Sequence, residues 1–174
     1  NKDAPRWLDA KKHEFSWDHW NAYRKMLESQ GRSENIIDDN EEVINTILDY
    51  SGDPRIGGSW ARKGLVMGNV QSGKTQNYLG LINKAIDAGY KTIIVLGGHL
   101  NELRMQTQER IDEGVLGAPS RHMIDNNSGQ LGPIGVGLWH KNSITPATTT
   151  MGDFNKNFPD RFGVKLDQAS QVVF

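Results

Sequence analysis

The sequence predicts an α/β fold with a parallel sheet, preceded by a small helical subdomain. Two apolar runs, at residues 65–67 and 92–96, have the composition of strands that are buried on both faces. A helical pattern at residues 75–88 lies between them, and a strand, a helix and a strand in this order form a right-handed βαβ unit. We therefore predict a helical subdomain at residues 1–57 and an α/β core at residues 58–174.

Apolar residues at helical spacing predict two helices in the N-terminal subdomain. Ser16 is a good N-cap for the first helix, which Gly31 ends. Asp39 and Glu42 form a capping-box-like pair for the second helix, which can include Ile36 and Ile37 in an earlier turn and stops before Gly52. The first helix carries an aromatic stripe that we interpret as core rather than as a base-stacking surface, at Trp17, Trp20, Tyr23 and Leu27.

Residues 68–75 fill every fixed position of the phosphate-binding loop pattern, at Gly68, Gly73, Lys74 and Thr75. The glycines let successive backbone N–H groups point at an anion, and the following helix adds its positive dipole end. We predict that Lys74 contacts the β- and γ-phosphates and that the Thr75 hydroxyl binds Mg²⁺. The predicted backbone cradle consists of Asn69, Val70, Gln71, Ser72 and Gly73. The alternative is a glycine-rich turn before a helix, with Lys74 merely exposed.

Two further positions in the predicted core are candidates for ligand contacts. Trp60 lies just before the first strand, where its indole can stack on an adenine base or simply cover the edge of the sheet. After the second strand, a helical stripe carries Arg104 and Gln106 on its polar face. Such a face lies either at the ligand crevice of a parallel sheet or in solvent. Threonines 145 and 148–150, with Asp153, form either a polar site or a turn cluster.

Composition excludes several classes of protein. The chain has no cysteine, which rules out disulfides and thiolate metal sites. It shows neither a membrane-spanning run nor a signal-peptide pattern, so we predict a soluble cytoplasmic protein. The net charge of −1 conceals an acidic stretch at residues 31–60, but charge neither supports nor excludes a nucleic-acid partner.

Hydrolysis of a nucleoside triphosphate also needs an acidic residue after a second apolar strand, to hold Mg²⁺ and position water. Asp49 and Asp112 lie on predicted helices, and Asp167 follows a run that Lys165 interrupts. None of the three fits this role. We therefore expect the acid to lie beyond Phe174, in the continuation of a longer protein.

The sequence resembles the Z-one domain family of endonucleases in residues 63–75, 80–85, 87–90 and 103–108, with Val70-Gln71-Ser72 as a fairly specific mark. The resemblance implies a RecA-like P-loop NTPase of the superfamily-two helicase type, linked to bacterial restriction and anti-phage defence. It implies ATP as the nucleotide and DNA as a partner, contacted by Arg104 and Gln106. It also implies further ATPase and effector domains outside this chain, and possible partners within a defence system. Endonuclease activity is implied by the family name alone.

These observations predict the ATP–Mg²⁺ binding lobe of a helicase-like ATPase that acts on DNA. One alternative is a nucleotide-gated module that binds ATP to control the assembly of a partner. Another is a P-loop kinase, which would need an arginine-bearing lid. Arg121 and Arg161 are the candidates for that arginine, and they support this alternative only weakly.

Overall fold

The structure is a computed structural model that describes residues 6–58, 61–68, 73–98, 100–120, 132–141, 144–150, 152 and 171–173. The chain divides into two compact units, residues 1–89 and residues 90–174. Helices predominate in the described part, at 58% helix. The predicted domain boundary at residue 57 stays a prediction.

Helices make up the regular structure of the N-terminal unit. Helix α1 spans Leu8–Lys11 and continues into a 3-10 helix at Lys12–Glu14. The longer helices are α2 (Asp18–Ser29), α3 (Glu34–Ser51) and α4 (Lys74–Asp87). Helix α4 packs against both α2 and α3, and α1 packs against α3. The predicted nucleotide-binding helix is therefore part of a helical bundle.

The core of this bundle comes from the apolar stripes of its helices. Tyr23 of α2 is buried, and Ile37, Ile44 and Leu48 of α3 are inaccessible to solvent. Gly80 of α4 faces this core, since a Cβ built on it would lie 2.5 Å from Ile44 Cδ1. The interpretation of the aromatic stripe on α2 as core is confirmed for Trp20, Tyr23 and Leu27, which are all buried.

A carboxylate from another helix caps α2. Asp87, at the end of α4, accepts hydrogen bonds from the backbone N–H groups of His19 at 3.1 Å and Trp20 at 2.9 Å. The N-cap position belongs to Trp17, whose backbone is left-handed at φ 54°. The prediction that Ser16 caps this helix is therefore wrong, because a residue distant in the sequence satisfies the exposed N–H groups.

Helix α3 includes the earlier turn that Ile36 and Ile37 allow, and it ends where predicted. It starts at Glu34, so the Asp39–Glu42 pair does not mark its first turn, and burial of Ile37 extends its apolar face toward the N-terminus. Gly52 follows the last turn with φ 99°, which favours glycine. Near this end, Asp49 caps α1 by accepting the N–H groups of Trp7 at 2.7 Å and Leu8 at 2.9 Å.

Within its described residues, the C-terminal unit combines one α-helix with short helical turns and short extended segments. Strand β1 (Thr92–Ile94) precedes helix α5 (Asn101–Ile111), a π-helical turn at Asp112–Leu116 and a 3-10 helix at Gly135–Leu138. Strands β2 (Thr145–Pro146) and β3 (Gln171–Val173) follow. Strand β3 pairs in parallel with both β1 and β2, giving the order β1-β3-β2. Each pairing is only two or three residues long.

The predicted parallel-sheet core of a P-loop NTPase is contradicted. Residues 61–68 lie outside any helix or strand, and Leu65 and Met67 are more than 80% exposed. The second apolar run forms only the three residues of β1, with Ile94 64% and Leu96 90% exposed. A buried parallel strand needs helices over both of its faces. The apolar face of α4 instead packs against α2 and α3.

Candidate functional site

The phosphate-binding pattern falls on the start of helix α4. Gly73 has a left-handed backbone, at φ 75°, and a Cβ placed there would have no atom within 4 Å. Helix α4 begins at the next residue, Lys74, and no side chain among the described residues caps it. The first-turn N–H groups and the positive dipole end therefore lie beside an exposed lysine, which is a suitable arrangement for an anion.

Four residues of the predicted phosphate-binding pattern lie in the part of the chain that the structure describes. Gly68, Gly73 and Lys74 are exposed, and Thr75 is half-buried. Asn69, Val70, Gln71, Ser72 and Trp60 lie outside the described residues, so their predicted roles stay predictions. What the structure provides is the C-terminal half of the pattern, with its lysine and threonine in the first turn of a helix.

Hydrogen bonds to α2 and α3 hold the first turn of α4 in place. The Tyr23 hydroxyl donates to the Gln76 carbonyl oxygen at 3.1 Å. Asn77 Nδ2 donates to Asn40 Oδ1 of α3 at 3.0 Å. These contacts fix the turn that carries Lys74 and Thr75, because they tie the residues that immediately follow to α2 and α3.

Two acidic residues considered as magnesium ligands are committed to structural hydrogen bonds. Asp49 caps α1, as described above. Asp112 is 4% exposed and accepts from Gln108 Nε2 at 2.8 Å and from the Ser120 N–H at 2.8 Å. Burial raises the pKa of Asp112, against the opposing effect of these hydrogen bonds. Asp167 lies outside the described residues.

Arg104 and Gln106, the predicted nucleic-acid contacts, have different surroundings on α5. Arg104 donates from Nη1 to the Thr149 carbonyl oxygen at 2.9 Å and from Nη2 to that of Thr150 at 3.1 Å. Gln106 is exposed. A DNA contact by either residue stays a prediction, and the guanidinium of Arg104 already holds a turn of its own unit.

The threonines that follow β2 contribute to this internal network. Thr148 is inaccessible to solvent, and its hydroxyl donates to Gln108 Oε1 at 2.8 Å. Among the described residues, the cluster therefore serves as a hydrogen-bonded turn. Thr145 contributes its backbone to β2, and Asp153 lies outside the described residues.

A buried lysine of the helical bundle lies at a position that the sequence patterns did not single out. Lys84 of α4 is 3% exposed, and its Nζ donates to Glu41 Oε1 at 2.6 Å and to Asn45 Oδ1 at 2.7 Å. The same ammonium lies 4.8 Å from the ring centroids of both Trp17 and Trp20. Burial lowers the pKa of Lys84, and the hydrogen bond to Glu41 opposes that shift.

One signal for this site was present in the sequence. Lys84 lies within an apolar helical face, between Ile82 and Ile86, where a charge is costly unless it is paired. Its partners are 39 and 43 residues away in the chain, so the pairing itself was not predictable.

Glu41 also joins this lysine to a group of charges around Arg24. The Arg24 guanidinium lies 3.3 Å from Glu41 and 2.7 Å from Asp38. It also lies 3.1 Å from Glu28. These carboxylates raise the pKa of Arg24, with the hydrogen bond that Arg24 donates to Asp38 as the main cause. Glu41 is therefore shared between two cations.

Comparison with family models, with curated proteins and with solved structures finds no match for this chain in any of the three. The resemblance to the Z-one domain family therefore stays an expectation that rests on the quoted motifs. Across the described residues, no helix is both long enough and apolar enough to span a membrane.

Proposed function

We propose that residues 68–75 bind the phosphate groups of ATP together with Mg²⁺. The observation that carries the proposal is the start of α4, where a left-handed Gly73 leads directly into a helix that begins at Lys74. A flexible glycine followed directly by a helix with lysine at its first position supports this proposal, because the phosphate-loop pattern has its last glycine and its lysine in this order. The proposal concerns this loop and helix and does not depend on the predicted sheet.

Each described residue of the pattern has a defined task in this proposal. Gly73 turns the chain so that its backbone approaches the phosphates without a side chain between them. Lys74 supplies a positive charge, and Thr75 supplies a hydroxyl ligand for Mg²⁺. The metal ion, when bound, neutralises phosphate charge.

The wider setting follows from the sequence patterns. We infer that the chain belongs to a cytoplasmic ATP hydrolase that acts on DNA, as the resemblance to a defence-linked endonuclease family suggests. Arg104 and Gln106 are its candidate DNA contacts. The acid needed for hydrolysis is not assigned to a residue of this chain.

Equilibrium binding of ATP in the presence of Mg²⁺, measured by titration calorimetry, tests the phosphate site. Replacing Lys74 with alanine removes a charged hydrogen-bond donor worth about 1.5–3 kcal/mol, so affinity is expected to fall roughly ten- to a hundredfold. Lys63→Ala is the matched control, because Lys63 is also exposed and near the loop but outside the pattern. Equal losses in the two variants would refute the proposal.

The metal role of Thr75 needs a separate measurement. Thr75→Val keeps the shape of the side chain and removes the hydroxyl. The variant is expected to lose most of the enhancement that Mg²⁺ gives to ATP binding, while binding of ATP with EDTA changes little. An unchanged Mg²⁺ enhancement would exclude the hydroxyl as a ligand.

The rate of ATP hydrolysis with and without duplex DNA tests the wider setting, in the longest form of the protein that can be prepared. We expect DNA to raise the rate and Lys74→Ala to abolish it. ATP binding without hydrolysis, and without any effect of DNA, would exclude a DNA-dependent ATPase.

A second candidate function, a nucleotide-gated interaction module, is favoured by the apolar surface next to the loop. Leu65 is 82% exposed and Met67 is 85% exposed, and Gly68 follows immediately. Exposed apolar side chains at this position can change their accessibility when the loop binds a phosphate. The module is supported if ATP slows backbone hydrogen exchange at residues 65–67 in the absence of hydrolysis, and it is excluded if exchange there is unchanged.

A further inference from the structure

Helices α3 and α4 run in the same direction, so they begin at the same end of the bundle. Asn40 of α3 accepts a hydrogen bond from Asn77 of α4 at 3.0 Å. Further along both helices, Ile44 lies against Gly80, since a Cβ built on this glycine would lie 2.5 Å from Ile44 Cδ1. The beginning of α3 is therefore next to the beginning of α4, where the proposed phosphate site lies.

Helix α2 runs in the opposite direction to α4. The backbone N–H of Trp20, in its first turn, donates to Asp87 at the end of α4 at 2.9 Å. The hydroxyl of Tyr23, farther along α2, donates to the carbonyl oxygen of Gln76 near the beginning of α4 at 3.1 Å. The end of α2 therefore also lies toward the beginning of α4. The turn that joins α2 to α3, at residues 30–33, is thus at the same end of the bundle as the phosphate site.

This α2–α3 turn projects past the first residue of α4. Ser33 precedes Asn40 by seven residues, or about 10 Å of helix, whereas Lys74 precedes Asn77 by three residues, or about 4.5 Å. Because Asn40 and Asn77 are in contact, the turn lies roughly 6 Å beyond Lys74 along the bundle. The unpaired N–H groups in the first turn of α4 point toward that same end.

Hydrogen bonds at the end of α2 fix the backbone of the α2–α3 turn. Gly31 has a left-handed backbone at φ 80°, and its N–H donates to the Glu28 carbonyl oxygen at 3.0 Å. The Arg32 N–H donates to the Leu27 carbonyl oxygen at 3.1 Å. These two bonds are those of a glycine-terminated helix end. Ser33 follows as the N-cap residue of α3, so Arg32 is held between two helix ends.

The side chain of Arg32 has no role inside the described part of the bundle. It is exposed, and among the described residues its guanidinium has neither an ion pair nor a hydrogen bond. The acidic residues near it in the sequence, Glu28 and Glu34, lie 3.1 Å and 3.6 Å from Arg24 instead. Arg32 is therefore an uncommitted cation on a fixed turn at the end of the bundle that carries the exposed Lys74.

We propose that Arg32 is a second phosphate contact of the site at the start of α4, donating from its guanidinium to phosphate oxygens that Lys74 also binds. This inference rests on the proposed ATP site. A guanidinium offers two parallel N–H donors that match the oxygens of a phosphate group. Neighbouring helix axes lie about 8–10 Å apart, a separation that an arginine side chain and a bound phosphate span together. The nucleotide then joins the α2–α3 turn to α4.

Titration calorimetry of the whole chain with ATP and, separately, with inorganic tripolyphosphate, both in the presence of Mg²⁺, tests this contact. Arg32→Gln removes the charge and is expected to weaken both ligands about tenfold, the effect of one lost charge-assisted hydrogen bond. Arg32→Lys keeps the charge without the pair of donors, so a loss of about threefold is expected. Lys25→Gln, at an exposed cation of α2 seven residues before Arg32, is the matched control and should bind both ligands as the wild type does.

The side-chain N–H resonance of Arg32 gives a direct readout of the same contact. Its Nε–H signal in ¹⁵N–¹H spectra is assigned by its disappearance in Arg32→Gln. We expect this signal to shift when tripolyphosphate is added to the wild type, and to shift less at the same concentration in Lys74→Ala. Urea unfolding of Arg32→Gln should match that of the wild type, which separates a lost contact from a damaged fold.

The outcomes distinguish this contact from the phosphate site itself. If Lys74→Ala weakens ATP binding and Arg32→Gln does not, the ATP site stands and the Arg32 contact is refuted. If the wild type binds neither ligand, both proposals fail. Equal weakening in Arg32→Gln and Lys25→Gln would overturn the contact, because it would reflect only the overall charge. A loss for ATP without a loss for tripolyphosphate would also overturn it, because Arg32 would then not contact phosphate.

Discussion

Replacement of Gly80 by alanine tests the packing of α4 on the bundle most sharply. A Cβ at this position would lie 2.5 Å from Ile44 Cδ1 and 3.0 Å from Trp20 Cζ3. Ile44 is inaccessible to solvent and Trp20 is 2% exposed, so neither side chain can move into water. The new methyl group must therefore push two core side chains, or α4 itself, out of place.

The expected loss of stability combines two opposing effects. Overpacking a core by one methyl group costs about 1–3 kcal/mol, and two short contacts place this site in the upper part of that range. Alanine in place of glycine within a helix returns about 1 kcal/mol. We therefore expect Gly80→Ala to lower the free energy of unfolding by about 2 kcal/mol.

Ile44→Val makes this prediction specific, because it removes the Cδ1 atom that the new methyl group meets. In the wild-type background, Ile44→Val should lower the free energy of unfolding by about 1 kcal/mol through the lost methyl group. In the Gly80→Ala background it should leave the free energy of unfolding unchanged or raise it, which gives a coupling between the two substitutions of about 1–2 kcal/mol. Urea unfolding of the four proteins measures this cycle.

Additive effects of the two substitutions would refute the reasoning. So would a Gly80→Ala variant that is more stable than the wild type, since that would mean that α4 gains from alanine without a clash. Either result would show that this face of α4 does not pack against α2 and α3 as the structure describes.

Three further predictions concern single side chains. Asp87→Ala removes the carboxylate that caps α2 and should lower the free energy of unfolding by about 2 kcal/mol, whereas Asp18→Ala, an exposed first-turn acid, should cost less than about 0.5 kcal/mol in the same urea titration. Burial raises the pKa of Asp53, but hydrogen bonds from cationic side chains outweigh it and lower the pKa from 3.8 to about 2. The contribution of the ionised carboxylate to stability is therefore present above about pH 4 and is lost as the pH falls through about 2. The free energy of unfolding measured across that window should fall by at most about 2 kcal/mol, and Asp53→Asn should abolish this part of the pH dependence. Arg104→Lys should lower the free energy of unfolding by about 1–2 kcal/mol, because lysine cannot donate the two parallel hydrogen bonds to the carbonyl oxygens of Thr149 and Thr150. A variant as stable as the wild type in thermal unfolding would show that these two hydrogen bonds contribute little.

The sequence predicted the helices well where local signals determine them. The predicted helix at residues 75–88 is observed as α4, and Gly89 follows it with a left-handed backbone at φ 97°, as a C-terminal glycine should. The end of α3 at Gly52 and the buried stripe of α2 are confirmed for the same reason. Short-range spacing and turn chemistry contain this information.

These local signals do not predict contacts between residues that are far apart in the sequence. Asp87 caps α2 across 67 and 68 residues of sequence, and the pairing of Lys84 with Glu41 spans 43 residues. No local pattern at Ser16 reveals that another helix supplies the cap. The partners of the buried Lys84 were not predictable for the same reason.

The strand predictions failed because apolar composition alone does not determine burial. The runs at 65–67 and 92–96 have the residues of a buried parallel strand, yet Leu65 and Leu96 are among the most exposed apolar side chains described. The same apolar face of α4 can cover a sheet or a helix pair, and the sequence does not distinguish the two. The start of α4 at Lys74 was predictable in either arrangement, because glycine and phosphate-loop chemistry act locally.

An amide ¹⁵N–¹H spectrum of the chain, titrated with ATP in the presence of Mg²⁺, tests the phosphate site most directly. We expect the largest shifts at the N–H groups of Gly73, Lys74 and Thr75, where the phosphates meet the start of α4. Shifts that spare the start of α4, or no shifts at saturating ATP, would contradict the proposed phosphate site.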